Sequence, residues 1–305
     1  MKLQQLRYFV AVYEEGSFSA AAKRVNATQS GLSMHVGQIE KQYDVILFNR
    51  SASGVTPTET GRAFYDDAIL VIAASTRAEG RLRNLSKSLV GHVKVGLMPT
   101  FTRTILTNVL LRFSKEHSEV RVTLSEAYSG NLSDMVSAGQ LDFAVVPAFD
   151  RDGFLQGTPM GRDQECFVCS AQSEFRIGKS VSLKNLPPQR FVLPGKTNAR
   201  RLRIENYLAE NDIEVKEILE IDTMYGTLDL VARSDWVSIL PGVLCLPDFD
   251  GDRRQIAALA DPPLHVDYLR IVPRSRPLSQ AAQAFADVLQ EELNCALEMS
   301  SANWP

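Results

Sequence analysis

The sequence predicts a multidomain α/β protein with a mainly helical, winged front. Three observations carry this. Residues 1–58 read as short amphipathic helices followed by a hairpin. A proline-free run of helix formers, interrupted only by Gly61 and Gly80, extends from Glu59 to about Leu89. From Gly91 onward, short β-rich runs alternate with helical stretches. At 305 residues the chain is too long for one compact domain. Apolar residues make up 45% and charged residues 23%, near the globular average, which argues against wholesale disorder and fibrous repeats.

The first helix is read from Leu3, Leu6, Phe9, Val10 and Tyr13, which recur at three- and four-residue spacing until Gly16-Ser17 stops them. A short second helix, Phe18 to about Val25, contains Ala20-Ala21-Ala22, small enough for close packing. Asn26-Ala27 is a turn. Thr28 caps a third helix with Gln29 and Ser30 in its first turn. Leu32, Val36, Ile39 and Tyr43 form its expected buried stripe, and Ser30, Ser33, Met34, Gly37 and Lys41 its outer face. Val45–Phe48 and the turn residues after it read as a hairpin or wing, with Arg50 at its edge as a phosphate contact.

Two short helices joined by a tight turn fit a helix-turn-helix spanning Phe18 to Gly37. The N-terminal end of a recognition helix sits deepest in the major groove. Gln29 suits adenine's N6 and N7 edge, Ser33 suits either groove partner, Met34 offers apolar contact to a thymine methyl, and Gly37 permits close backbone approach. Periodicity alone fits a plain three-helix bundle with a polar surface equally well. The charge distribution bears on the choice. Residues 1–90 hold 11 Lys/Arg and 8 Asp/Glu, a net of +3, whereas the remainder carries a net of −6 within the overall −3. A basic front on an acidic body places any polyanion at the front.

The string from Leu3 to Gly61 resembles the N-terminal domain of LysR-type transcriptional regulators. The matching residues are Leu6–Phe9, Gly16–Ala22, Thr28–Ser33, Ile39-Glu40, Leu47–Arg50 and Thr56–Gly61. The resemblance implies duplex contacts at Gln29, Ser30, Ser33, Met34 and Arg50, beside the capping Thr28. This chain departs from the family pattern at Ser30, where proline is usual, at Met34, where arginine is frequent, and at Asp44, where glycine is usual. Asp tolerates a left-handed turn better than most residues.

Thr56-Pro57-Thr58-Glu59 has a capping-box pattern. Phe64, Ala68, Val71, Ser75, Ala78, Leu82, Leu85 and Leu89 then follow steps of four and three, a heptad seam. A helix of that length spans about 50 Å at 1.5 Å per residue and cannot hide in a small domain. Dimerisation through Phe64, Val71, Ala78, Leu82, Leu85 and Leu89 is therefore expected in preference to intrachain packing. A dimer sets two recognition helices on the half-sites of a near-palindromic duplex. The resemblance implies the same contact, and a homotetramer, with RNA polymerase as a further partner.

Strands are expected at Val93–Leu97, Val120–Leu124, Phe143–Val146, Cys166–Cys169, Phe191–Leu193, Ile218–Ile221, Trp236–Leu240 and Tyr268–Val272. Helices are expected at Arg103–His117, Leu132–Gly139, Arg200–Asn211, Thr223–Arg233 and Ser279–Leu297. This alternation predicts parallel sheets covered on both faces, and about 215 residues is large for one such sheet. The resemblance, weaker here, implies a two-lobed, periplasmic-binding-protein-like effector domain. Its division is 1–58 for the winged helix-turn-helix, 59–90 for the linker and 91–305 for the effector domain. Lobe I then holds 91–163 and 268–305, and lobe II holds 164–267. The tail from Cys295 through Asn303-Trp304-Pro305 lies outside the resemblance.

A crevice between two α/β lobes is a ligand site. Met98–Thr102, Pro194–Asn198 and Asp222-Thr223 each precede a helix, where hydroxyls and N–H groups favour an anion such as a carboxylate. The family's effectors sit among these loops, which carries the effector role to Thr100, Thr102, Ser129, Asn198 and Thr223. Lys196, Arg200 and Arg201 add positive charge nearby. For each hydroxyl or amide, a plain helix cap is the alternative.

No catalytic constellation appears. His35, His92, His117 and His265 are far apart, and no GxGxxG or GxxxxGK[ST] occurs, so neither an enzyme nor a metal or cofactor is expected. Cys166-Phe167-Val168-Cys169 falls within an apolar strand, where positions i and i+3 face opposite ways; core packing is the expected role, with a redox regulator as the alternative. A solute-binding module carrying a basic bundle is the remaining rival, and the Gln29–Ser33 face argues against it. No apolar run reaches the roughly 18 residues of a membrane helix. Glu14 and Glu15 interrupt any signal-peptide core, so a cytoplasmic location is expected, where four cysteines do not make a disulfide framework.

Overall fold

A computed structural model describes residues 1–51, 54–83, 89–148, 155–174, 177–196 and 198–304. Ala52 and Ser53 of the hairpin, Leu85 of the seam, Thr197 and Pro305 lie outside the described residues, as does the side chain of Leu82.

The front holds α1 (Leu3–Glu15), α2 (Phe18–Arg24), α3 (Gln29–Tyr43), β1 (Phe48–Ser51) and β2 (Gly54–Pro57). Leu6, Phe9, Val10, Leu32, Val36, Ile39, Leu47 and Phe48 form its core, each almost wholly buried. Truncating a buried Phe such as Phe9 to Ala costs about 3–5 kcal/mol. Tyr43 does not join the stripe: it is 51% exposed, because the helix ends there and Asp44 turns left-handed at φ 50°. Gly61 has a packing reason, since a Cβ there sits 2.2 Å from the Leu47 carbonyl oxygen.

The long helix α4 (Glu59–Arg83) has 25 residues, about 37 Å. It differs from the expected single seam. Tyr65, Ala68 and Ile72 are buried against the chain's own front core, and Phe64 packs there too, its ring 4.8 Å from that of Phe9. Leu89 packs against the next domain's core. Phe64 is thus taken up within the chain, because a helix leaving a small bundle must cover that bundle before it can meet a partner, and Leu89, beyond the end of α4, is taken up by the following domain. A second face stays open, with Leu70 65% and Val71 48% exposed and Ala78 exposed.

Beyond it come β3 (Gly91–Leu97), α5 (Pro99–Thr104), α6 (Leu106–Glu116), β4 (Val120–Glu126), α7 (Ser129–Ser137), β5 (Phe143–Pro147) and the long β6 (Leu155–Ser170). There follow β7 (Ser180–Val181), β8 (Gln189–Leu193), α8 (Ala199–Glu210), β9 (Val215–Glu220), α9 (Met224–Arg233), β10 (Trp236–Pro241) and α10 (Gly242–Cys245). The chain ends with β11 (Arg254–Leu259), β12 (His265–Pro273) and α11 (Gln280–Ser301). The single helix expected over Arg103–His117 is two, broken at Ile105.

The strand order is β4-β3-β5-β12-β6-β10-β8-β9, with β11 branching off β6 and β7 beside β11. Within each lobe the expected parallel pairing holds, β3 with β4 and β5, and β8 with β9 and β10. β6 and β12 instead run antiparallel, because they carry the chain out of lobe I and back. Leu155–Gln164 pair with β12, and Glu165–Ser170 pair with β10 and β11. The Gln164 amide clamps this crossing, donating to the carbonyls of Glu165, Leu259 and Leu264 at 2.9, 3.1 and 3.0 Å. Cys166 and Cys169 occupy opposite faces of β6, in separate cores. Burial pushes the Cys169 thiol up to about 11 and Cys166 well above its usual range. The tail acquires a role. Trp304 packs edge-on to Phe249 at 5.2 Å, tying the end of α11 to lobe II.

Candidate functional site

At the front, two hydroxyls start the paired helices. Ser17 Oγ accepts from the Ala20 N–H at 3.4 Å, and Thr28 Oγ1 from the Gly31 N–H at 3.1 Å. Thr28, Gln29 and Ser30 are exposed at the first turn of α3, and Met34 is exposed one turn on. A Cβ on Gly37 meets nothing within 4 Å, so nothing in the packing requires glycine on this face.

The hairpin is fixed to α3 by Glu40, whose Oε1 accepts from the Leu47 and Phe48 N–H groups at 2.9 and 3.4 Å. Its other oxygen lies 3.8 Å from Arg50. Arg50 also donates to Ser33 Oγ at 3.2 Å and lies over the Phe18 ring at 4.9 Å. Expected as a separate hairpin-edge cation, Arg50 is in fact drawn against the outer face of α3. One surface therefore carries Gln29, Ser30, Ser33, Met34 and Arg50: amide, hydroxyls, an apolar tip and a guanidinium. That surface supplies groove-edge donors and acceptors together with a phosphate-binding charge.

The second candidate site lies between the lobes. Thr100 and Ser129 of lobe I and Asn198 of lobe II are buried, and Thr102 is half-buried. Ser129 Oγ accepts from the Ala199 N–H at 3.1 Å, so the first turns of α7 and α8 meet directly across the lobes. Asn198 Oδ1 caps α8 through the Arg200 N–H at 3.0 Å. Thr102 Oγ1 donates to the Pro99 carbonyl at 3.3 Å and to Glu126. Thr223 stands apart: it is exposed and makes no side-chain cap to α9.

The expected positive charge is consumed internally. Arg200 forms a buried two-point pair with Glu165, at 2.8 and 2.6 Å, and donates to the Ile239 carbonyl. Arg201 pairs with Glu205 and donates to the Pro194 carbonyl. Lys196 stays exposed. Tyr128, one residue before α7, was missed by sequence reasoning. Its hydroxyl pKa is raised, first by burial and then by Asp222, with Arg200 opposing and Glu126 adding. An aromatic beside Ser129 gave no signal because nothing in its local pattern distinguishes it from core.

Comparison with known proteins decides what the two sites belong to. The family model "LysR substrate binding domain" matches residues 86–294, and "Bacterial regulatory helix-turn-helix protein, lysR family" matches residues 3–62. The chain belongs to the LysR family of transcriptional regulators. Its members are regulators, not enzymes, and this LysR-type protein carries a DNA-binding and an effector-binding domain. It is 27% identical over 290 residues to the nitrogen assimilation regulatory protein nac of Klebsiella aerogenes, covering 95% of this chain and 94% of that protein. It is 24% identical to the regulator CysL of Bacillus subtilis, over 77% of this chain and 79% of the other. The fold is that of full-length OxyR from Pseudomonas aeruginosa, with TM-score 0.60, 20% identity, and coverage of 96% of this chain and 95% of that one. It is also that of full-length CbnR in complex with its target DNA, with TM-score 0.54, 20% identity, and coverage of 96% and 99%. Among the described residues no helix is long and apolar enough to cross a membrane, and no group of His, Cys, Asp and Glu is placed to hold a metal ion.

Proposed function

We propose that this LysR-type regulator reads near-palindromic duplex sites through Gln29, Ser30, Ser33 and Met34, with Arg50 on the phosphates and Thr28 starting the helix. The juxtaposition of Arg50 with Ser33 carries the reading, because it unites charge and groove chemistry on one exposed face. Two chains pair along α4, supported by the open face at Leu70, Val71 and Ala78, and two such dimers assemble into a tetramer that contacts RNA polymerase. The division 1–58, 59–90 and 91–305 follows the change from reading head to linker to sensor, in a protein working in the cytoplasm.

The effector is a small organic anion, a carboxylate, held between the lobes by Thr100, Thr102, Ser129, Asn198 and Thr223. Since Arg200 and Arg201 are paired internally, the helix N-termini and Lys196 supply its counter-charge. The Ser129–Ala199 bond gives the switch a physical basis. A ligand entering there competes for the same N–H, so binding and lobe closure draw on one donor. A ligand that favours one lobe angle shifts the population of that angle.

Selection of bound sequences from random duplex by the purified full-length protein tests the first half. Recovery of a two-half-site motif by the wild type, and its loss in Gln29→Ala, is expected; equal enrichment by both proteins overturns the groove assignment.

A further inference from the structure

The segment between β10 and β11 belongs wholly to neither lobe. Val243 packs in the lobe I core, whereas Leu244 and Cys245 pack in that of lobe II. From lobe I, Arg103 reaches this segment out of α5, the helix whose first turn holds Thr100 and Thr102. One guanidinium nitrogen donates to the Leu244 carbonyl at 2.7 Å, and the other lies 2.9 Å from Asp248. Asp248 is buried and also accepts from Arg254 of β11 at 2.6 Å. Arg254, 3% exposed, donates through Nε and Nη2 to the Leu228 carbonyl at 2.9 and 2.7 Å. Leu228 lies in α9, the helix that starts after Thr223.

A chain of one ion pair, Arg103 to Asp248, and the hydrogen bonds of Arg254 thus runs from α5 to α9. The two helices it joins follow candidate ligand loops in opposite lobes. We propose that Arg103, Asp248 and Arg254 form an interlobe strut that converts displacement of the Thr100 loop in lobe I into a change in the angle of lobe II. The proposal rests on the reading that the effector acts between the lobes. Arg103 is a positioning residue in it and touches no ligand.

The charges explain why this arrangement transmits motion. Two guanidinium groups share one carboxylate: Arg254 holds one oxygen of Asp248 by a charge-assisted hydrogen bond, and Arg103 faces the other as an ion pair in a partly dehydrated site. Burial, and after it the charges of Arg103 and Arg253, pull the Arg254 pKa down against the opposing Asp248. Removing Asp248 leaves the half-buried Arg103 facing the buried Arg254 with no carboxylate between them, which disrupts the fold itself. Removing Arg103 leaves Asp248 and Arg254 as a neutral pair still bonded to Leu228, so lobe II keeps its internal support. Arg103 is therefore the position at which the strut is separable from folding.

The test measures the lobe separation in the full-length protein without ligand or DNA. In a Cys295→Ser background, Lys115→Cys on α6 and Glu210→Cys on α8 are spin-labelled, and labelled chains are diluted into unlabelled protein so that only intrachain distances are read. Cys166, Cys169 and Cys245 are buried and do not take the label. The expected result is a narrow distance distribution with Arg103 intact. Arg103→Gln gives a broader one shifted to longer separation, at a nearly unchanged melting temperature. Arg103→Lys, which restores one charge without the fork, recovers part of the narrowing. A distribution in Arg103→Gln that superimposes on the parent overturns the strut. So does a collapse of the melting temperature, which makes Arg103 a folding residue. Failure of the cleft reading shows up separately, as calorimetric binding of small carboxylates (acetate and succinate) that is unaffected by Thr100→Val.

Discussion

Arg50 of the hairpin donates to Ser33 of the recognition helix at 3.2 Å, across seventeen residues of sequence. The bond holds this cation beside the face proposed to read bases, so charge and groove chemistry are coupled in space while differing in their expected effects.

Gln29→Ala should lose roughly 1–3 kcal/mol on the specific site and little on random duplex, because it removes a base-edge contact. Arg50→Ala should weaken both and lower the salt slope by about one, as expected for one lost phosphate contact. Ser33→Ala should fall between, since it frees Arg50 from its partner as well as removing a hydroxyl. Titrations of specific and random duplex at several salt concentrations separate the three. Identical salt slopes for Arg50→Ala and the wild type exclude Arg50 as a phosphate contact.

The open face of α4 should hold the dimer. Leu70→Glu with Val71→Glu places charge where the isolated chain is exposed, so the monomer fold has no reason to fail, whereas an apolar helix-to-helix contact does. Loss of the dimer in sedimentation, with helicity retained, is the expected outcome. An unchanged assembly places the dimer contact elsewhere.

Much of this architecture is legible in the sequence. The α3 stripe of Leu32, Val36 and Ile39 is buried as its spacing predicts, and Asp44 adopts the left-handed turn. Elements set by distant partners are not legible. The split at Ile105 leaves the helical periodicity of the stretch intact. β11 and the reach of β6 beyond Cys166–Cys169 depend on pairing with strands far along the chain. The site is likewise half legible. Hydroxyls before helices mark the loops, but the withdrawal of Arg200 into Glu165 depends on a partner thirty-five residues away.

Cysteine reactivity should track burial. A thiol-reactive disulfide reagent should titrate Cys295 in the native protein and reach Cys166, Cys169 and Cys245 only after denaturation, because burial keeps those thiols protonated. Peroxide should then leave DNA affinity unchanged in a Cys295→Ser protein. Peroxide-dependent binding that disappears in Cys166→Ser or Cys169→Ser supports a redox regulator instead.

Asp163 should give the lobe crossing a pH dependence. It is 2% exposed on β6 and accepts from the Val243 N–H at 2.9 Å, the Tyr268 hydroxyl at 3.2 Å and the Ser300 hydroxyl at 3.3 Å. Burial, and secondarily the Glu165 charge, raise its pKa from 3.8 to about 7, against the pull of those three donors. The folded state therefore binds this proton more tightly than the unfolded chain does. The resulting stability is fully present below the unfolded value of 3.8, is lost as the pH rises to about 7, and above that an ionised carboxylate remains buried at a cost. One pKa unit corresponds to about 1.4 kcal/mol, so the contribution amounts to several kcal/mol. Asp163→Asn is neutral at every pH, keeps an acceptor for Val243 and gains a donor for Ser300. It should be more stable than the wild type above pH 7, with the advantage shrinking as the pH is lowered. The comparison of the two proteins cancels the contribution of the carboxylates that do not interact with Asp163. A stability difference that stays flat across that range shows that the Asp163 carboxyl titrates as it does in the unfolded chain.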